Sequence, residues 1–355
     1  MKTDRTLFGH LQDGKAVERI TVSNSTGLTA SWITLGGTLS SLEFPDRNGD
    51  ITTLVCGFDS LADYEAGHPF FGVLVGRFAN RIGNARFTVD GKTYELSKND
   101  VYGVPAGQEP RHHLHGGFQG FDKKVWNAKL FEQERSAGVI FSYLSKDGEE
   151  GYPGNLDVEI ICSLSEDNEL AFNYKATTDA ATPVNLTNHA YWNLAGAGSG
   201  SVANHLLTLH CPRYVVVDAE LIPTGEIRDV ENTPMDFRKS KRIGDDLARV
   251  PGGYDHCFVC ENLSDRMKDL ATLVEPSSGR AMDIRTTKPA VQFYSGNFLD
   301  GTIRGAGGHV YEKHGALCLE TEFFPDSVNH PEFPSPLLLP GETYKHETVH
   351  RFYVV

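Results

Sequence analysis

Leu156-Asp-Val-Glu-Ile160-Ile-Cys-Ser-Leu164, followed by Glu166-Asp-Asn168 and then Leu170-Ala-Phe-Asn-Tyr174-Lys-Ala176, decides the fold. Leu156, Val158, Ile160, Cys162 and Leu164 alternate with polar or smaller residues, and Leu170, Phe172, Tyr174 and Ala176 alternate back. Successive side chains of a strand point to opposite faces, so this period of two reads as two strands, each with one face in a core. Glu166-Asp-Asn168 carries the residues of a tight turn between them. A tight turn joins only antiparallel neighbours.

The same pattern extends outward in both directions. Residues 16–22 alternate weakly, and 28–42 form an apolar stretch broken by a Gly36-Gly37 turn. Residues 51–58, 139–144, 206–217, 255–260, 271–274, 281–285, 290–294 and 346–354 read as further strands. Phe87-Thr-Val89, Asp90-Gly91 and Lys92-Thr-Tyr94-Glu-Leu96 predict a hairpin with a type I′ turn. Helical spacing is confined to 59–66 and 241–250, two or three turns each. With 36 glycines and 17 prolines punctuating short strands, the reading is all-β, a large antiparallel β-sandwich of two packed sheets with few short helices. No linker, charge block or repeat divides the chain, so residues 1–355 are expected to form a single domain.

Bulk composition narrows the partners. Hydrophobic content of 39% and charged content of 23% describe an ordinary globular chain. A net charge of -14 argues against nucleic acid and against membrane surfaces, and suits a neutral small molecule. Six cysteines show no disulfide spacing; Cys257 and Cys260 lie three apart on a predicted strand, facing opposite sides, and read as buried thiols. Neither a signal peptide nor a membrane span is visible, so a cytoplasmic protein is expected.

Several segments carry groups that do chemistry. Ala316-Leu-Cys-Leu-Glu320 is a short apolar run ended by an acid. Desolvation there would raise the Glu320 pKa and make it a usable base near neutral pH. Gly76-Arg77-Phe-Ala-Asn80-Arg81-Ile82 places an amide and two arginines beside an apolar strand; Arg81 offers a fork of donors, whereas Arg77 reads equally as a surface residue on a hairpin. His112-His113-Leu114-His115-Gly116-Gly117 is dense in histidine but lacks a completing ligand spacing, so no metal is expected. Asn185-Leu-Thr-Asn188-His189-Ala-Tyr191-Trp192-Asn193 gathers uncharged donors and aromatic rings, the furnishing of a carbohydrate pocket; a histidine there also reads as a satisfied core residue. Asp255 follows a glycine turn, and Gln292 is an amide inside an apolar strand that needs a partner. Glu320 with Asp255 or with Glu322 could form a glycosidase pair, and a lectin-like binding module is a third reading.

Seven of these segments in register resemble the aldose 1-epimerases, the galactose mutarotase family, over nearly the whole chain. They are Gly76-Arg-Phe-Ala-Asn-Arg-Ile82, Leu114-His-Gly-Gly117, Phe121-Asp-Lys-Lys-Val-Trp126, residues 185–194, Gly253-Tyr-Asp-His256, residues 292–301 and residues 317–329. The resemblance implies a galactose mutarotase-like β-sandwich with an open cleft, no cofactor and no metal, acting on a free aldose as a monomer or homodimer. It implies His189 as general acid and Glu320 as general base. It implies Asn80, Arg81, His115, Asp255 and Gln292 as sugar-contacting residues; Tyr191, from the aromatic segment, is expected to bind substrate with them. Glu322 departs from the family pattern, where glutamine is usual, as does His112, where asparagine is usual. Positions i and i+2 share a strand face, so Glu322 is expected either to raise the Glu320 pKa or to add a sugar contact. The mechanism further expects Glu320 ionised and His189 protonated at the start of turnover.

Overall fold

The computed structural model describes residues 1–102, 104 and 107–355. The deciding hairpin is present as strands Leu156–Ser165 and Glu169–Thr178, with Asn168 at φ 61° closing the turn. Along Leu156–Ser165 the even-numbered residues are all buried and the odd-numbered ones are exposed or half-buried. That alternation is the physical content of the sequence pattern: one face meets a core and the other meets water.

These two strands lie within a nine-stranded antiparallel sheet. Its order is Asn127–Glu132, Ser136–Ser145, Leu156–Ser165, Glu169–Thr178, Tyr344–Val354, Arg280–Thr286, Lys268–Val274, Leu206–Leu209 and Lys241–Arg242. A five-stranded meander runs Lys2–His10, Ala16–Ser23, Thr29–Ile33, Thr38–Pro45 and Ile51–Thr53. A second five-stranded sheet is ordered Pro223–Asp229, Arg213–Val217, Asp255–Val259, Ala290–Tyr294 and Cys318–Glu322. One apolar cluster takes Trp32 from the meander, Phe141, Ile160 and Phe172 from the large sheet, and Phe258, Val291 and Leu319 from the third. The chain is therefore an all-β antiparallel sandwich in which three main sheets, rather than two, share one core.

Local differences from expectation have local causes. Residues 206–217 are two strands in different sheets, separated at Pro212, which has no N–H to continue a ladder. Lys2–His10 shows no apolar alternation because it is an edge strand, mostly exposed. The helices shrink to Leu61–Glu65, capped by the Ser60 hydroxyl accepting from the Asp63 N–H at 3.3 Å, and Gly244–Leu247. Asp90 and Gly91 both take positive φ, 51° and 75°, as the type I′ turn requires. All six thiols are free and buried, with Cys257 and Cys260 in different apolar clusters. Among the described residues no helix is long and apolar enough to cross a membrane.

The third sheet positions the site. Gln292 pairs with Glu320 across the strand ladder, and Asp255 pairs with Tyr294. Facing them are two short ribbons, Arg81–Ile82 with His113–Leu114, and Leu74–Val75 with Thr187–Asn188. The strand ending in the acid continues through Glu322, so Glu320 sits at its middle rather than at its end.

Candidate active site

A cleft of about 450 Å³, partly open to solvent, receives Asn80, Arg81, His115, His189, Tyr191, Asp255, Gln292 and Glu320. Every residue singled out for catalysis or sugar contact thus reaches one cavity. Pro69, Phe70, Tyr102, Leu114, Tyr294 and Phe298 complete its lining. None of these six was expected at the site; Tyr294 and Phe298 fall inside the 292–301 segment, Phe70 begins the apolar stretch 70–75 expected as a strand, of which only Leu74–Val75 is one, and Tyr102 sits outside the strands. Phe298 is 43% exposed, an aromatic ring at the mouth stacked on Tyr294 at 5.9 Å between centroids.

Glu320 and His189 face each other across the floor, Nε2 to Oε2 at 3.5 Å. Glu320 is 3% exposed, and its Oε2 has no hydrogen-bond partner among the described residues. Burial raises its pKa well above the carboxylate range; the neighbouring Glu322 and Asp255 add to the rise and Arg81 opposes it. The His189 ring stacks on Tyr191 at 5.1 Å and 15° and on Phe70 at 5.8 Å and 23°, with the Cys318 thiol 3.6 Å from Nδ1. Burial among these groups pushes its pKa down to about 3. The expected resting state, ionised Glu320 beside charged His189, runs against this burial: desolvation raises the one and lowers the other, and both shifts favour a neutral carboxyl beside a neutral imidazole.

His115 is held by a reciprocal clasp. Its backbone N–H donates to the Asn80 carbonyl, and the Asn80 N–H donates to His115 Nδ1, both at 3.1 Å. An acceptor at Nδ1 leaves the proton of the neutral ring on Nε2, so His115 offers the cleft a donor. Burial holds its pKa well below the usual value, which keeps the ring neutral. Arg81 donates from Nε to Asp100 Oδ2 at 2.7 Å and lies 4.0 Å from Asp255 Oδ2. Asp100 was missed because it lies in an irregular segment whose proximity to Arg81 is a product of the fold alone. Asp255 accepts from Gln292 Nε2 at 2.7 Å, while Gln292 Oε1 is buried without a partner.

Three sequence readings are corrected by placement. His113 points away from the cleft, its Nε2 2.7 Å from the Tyr152 hydroxyl and its Nδ1 2.8 Å from the Ser97 carbonyl oxygen. His112 faces Glu220 at 2.6 Å, so neither belongs to a cluster with His115. Of the group at 185–193, Trp192 enters the core and Asn185 caps backbone groups of Ala79 and Phe323, leaving only His189 and Tyr191 in the cleft. Arg77 is no surface residue: it is 2% exposed. His115, His189 and Glu320 do bring ligand atoms within 4.8 Å of one another, the spacing a metal would need. The Asn80 N–H aimed at His115 Nδ1 opposes that use, because ligation through Nε2 would put two N–H groups nose to nose.

Comparisons with known proteins agree with one another. The sequence model of the family described as Aldose 1-epimerase matches residues 18–351. Galactose mutarotase of Rattus norvegicus is 46% identical over 352 residues, covering 99% of this chain and 98% of the relative. Aldose 1-epimerase of Escherichia coli strain K12 is 38% identical, with 96% of each chain covered. Among solved structures, galactose 1-epimerase of Lactobacillus acidophilus NCFM superposes with a TM-score of 0.84 at 27% identity, covering 99% of each chain. An aldose epimerase homologue from C. elegans superposes with a TM-score of 0.82 at 32% identity, covering 94% of this chain and 98% of the other.

Proposed function

Because the chain belongs to the aldose 1-epimerase family, we propose that it interconverts the α and β anomers of free aldohexoses such as D-glucose and D-galactose. The observation that carries this reading is the buried His189–Glu320 pair, 3.5 Å apart and without other claims on the facing atoms. In a cyclic hemiacetal the C1 hydroxyl and the ring oxygen share one carbon, so two facing groups at this spacing reach both.

Glu320 takes the proton of the C1 hydroxyl and His189 protonates the ring oxygen. The ring opens, the free aldehyde turns about the C1–C2 bond, and closure on the other face reverses both transfers. The pair needs one proton, and it holds one whether that proton rests on Glu320 or on His189. Sugar hydroxyls entering the cleft replace some of the missing solvation, and Arg81 favours the ionised carboxylate. His115 donates from Nε2, Arg81 and Asn80 grip hydroxyls, Asp255 and Gln292 bind the far side, and Tyr191 fixes the His189 ring.

A glycosidase needs two carboxylates free to flank the bond. Asp255 is committed to Gln292 and lies beside Arg81, and Glu322 does not line the cleft. That weighs against hydrolysis, and an orphaned buried acid facing a histidine exceeds what a lectin requires. Polarimetry on freshly dissolved α-glucose and α-galactose decides: the approach to equilibrium rotation is expected to quicken in proportion to protein, with no reducing ends released from glycosides. Rotation at the spontaneous rate would overturn the reading. Turnover is also expected to survive exhaustive chelation, given the His115 tautomer; activity lost to chelator and restored by zinc would contradict that.

A further inference from the structure

Glu322 is a second buried acid that the proposed reaction does not use. Strand alternation puts it on the Glu320 side of Cys318–Glu322, opposite the small Ala290, while Thr321 faces the other way and meets the Thr348 hydroxyl at 2.6 Å. It is 0% exposed and does not line the cleft, so the expected direct sugar contact does not hold. Its Oε1 accepts from Asn80 Nδ2 at 3.1 Å, and its Oε2 has no partner. Asn80 is a hub: it sits at φ 65°, its Oδ1 accepts from the Arg81 N–H at 2.9 Å, and its own backbone N–H and carbonyl clasp His115. Asparagine tolerates the left-handed region better than most residues, and these hydrogen bonds hold Asn80 in it.

We propose that Glu322 is a positioning residue of the site: it anchors the Asn80 side chain, through Asn80 it sets the Nε2–H donor tautomer of His115, and from two residues along the same strand face it acts on the Glu320 carboxyl. The proposal rests on the epimerase reading above. The groups around Glu322 are Glu320 on its own strand, Asp255 and Cys257 on the strand beyond Ala290–Tyr294, Arg81 on the facing ribbon and Lys288 before Ala290–Tyr294. Burial pushes the Glu322 carboxyl up to about 8, with the Asn80 hydrogen bond and the Lys288 charge opposing the rise. Lys288 is itself buried, its ammonium donating to the carbonyls of Leu186 and Thr321 and lying 4.3 Å over the Tyr174 ring. Burial thus favours the protonated Glu322 carboxyl, with Oε1 accepting from Asn80 Nδ2. Once ionised, its charge holds the Glu320 proton to higher pH; a raised carboxyl pKa means later release, so removing that charge brings release to lower pH.

Two variants separate the two roles. Glu322→Gln keeps a carbonyl for Asn80 Nδ2 and removes the charge: kcat near pH 7 is expected to stay within about threefold, while the limb of the pH–rate profile set by Glu320 deprotonation moves down by about half a unit or more. Glu322→Leu removes the acceptor: KM is expected to rise roughly tenfold, the worth of one lost buried hydrogen bond, with a smaller change in kcat. Side-chain 15N shifts of His115 read the tautomer without turnover, and a carboxyl 13C titration reads Glu320 directly. The Nε2–H tautomer is expected in wild type and Glu322→Gln, and a mixture in Glu322→Leu. Superimposable Glu320 titrations in wild type and Glu322→Gln, or an unchanged His115 tautomer and KM in a folded Glu322→Leu, would overturn the proposal. Should Glu322→Leu not fold, the Gln titration alone decides. A wild-type protein that changes no sugar's rotation would sink the epimerase reading, and the two spectroscopic measurements would still judge Glu322.

Discussion

Glu320→Gln is expected to lower the rate of mutarotation by roughly two to four powers of ten, the usual worth of a positioned proton acceptor. The substitution keeps size and shape and removes the group that gains and loses the proton. Its stability cost should be small, because Glu320 Oε2 has no hydrogen-bond partner to lose among the described residues and the new amide finds His189 Nε2 about where the carboxyl found it. Burial of both members also explains the magnitude: inside the cleft neither proton transfer has bulk water as a substitute. Near-wild-type turnover in a folded variant would move the base elsewhere. The first suspect would then be Asp255, which lines the same cleft; Glu322, two residues on, is shut out of it.

The legibility of the sequence followed solvent exposure. Leu156–Ser165 and Glu169–Thr178 could be read because one face of each is wet, so burial leaves its trace in composition. Lys2–His10 could not, since an edge strand exposed along most of its length carries no apolar code. Among site residues, Glu320 stood out because its neighbours are apolar, and His115 because Gly116-Gly117 follows it. Gly116 takes φ 87°, and a Cβ there would sit 1.8 Å from the Gly76 carbonyl oxygen, so the backbone that carries His115 packs directly on the segment leading to Asn80. The Arg81–Asp100 pair, the His115 tautomer and the burial of Glu322 were not legible, because each depends on which distant segment the fold brings alongside. His112 and His113 show the same limit in reverse: adjacent in sequence to a cleft residue, they point elsewhere.

Arg77→Ala is expected to cost about 3–5 kcal/mol of folding stability, far more than a surface arginine would. Its guanidinium donates from Nη1 to the Pro153 carbonyl at 2.7 Å, to the Gly154 carbonyl at 3.1 Å and to the Thr182 hydroxyl at 3.1 Å. From Nη2 it donates to the Ser145 carbonyl and hydroxyl, at 3.2 and 2.7 Å, and to the Lys146 carbonyl at 3.3 Å. These acceptors belong to the end of strand Ser136–Ser145, the loop that follows it and the short strand Thr182–Pro183, so one side chain ties three segments together. Truncation strands several buried carbonyls at once, and water entering the space would satisfy only some of them. The pKa of Arg77, brought down to about 10 by burial, still leaves it charged at neutral pH, which strengthens each donated bond. Urea unfolding should show a lower midpoint with an unchanged slope, since the surface exposed on unfolding is the same. Arg77→Lys should recover only part of the loss, because an ammonium on a flexible stem cannot span acceptors laid out for a planar fork. A midpoint shift worth less than about 1 kcal/mol for Arg77→Ala would mean the three segments hold together without the guanidinium. It would also remove the reason for burying a cation three residues before Asn80, in the segment that leads into the cleft.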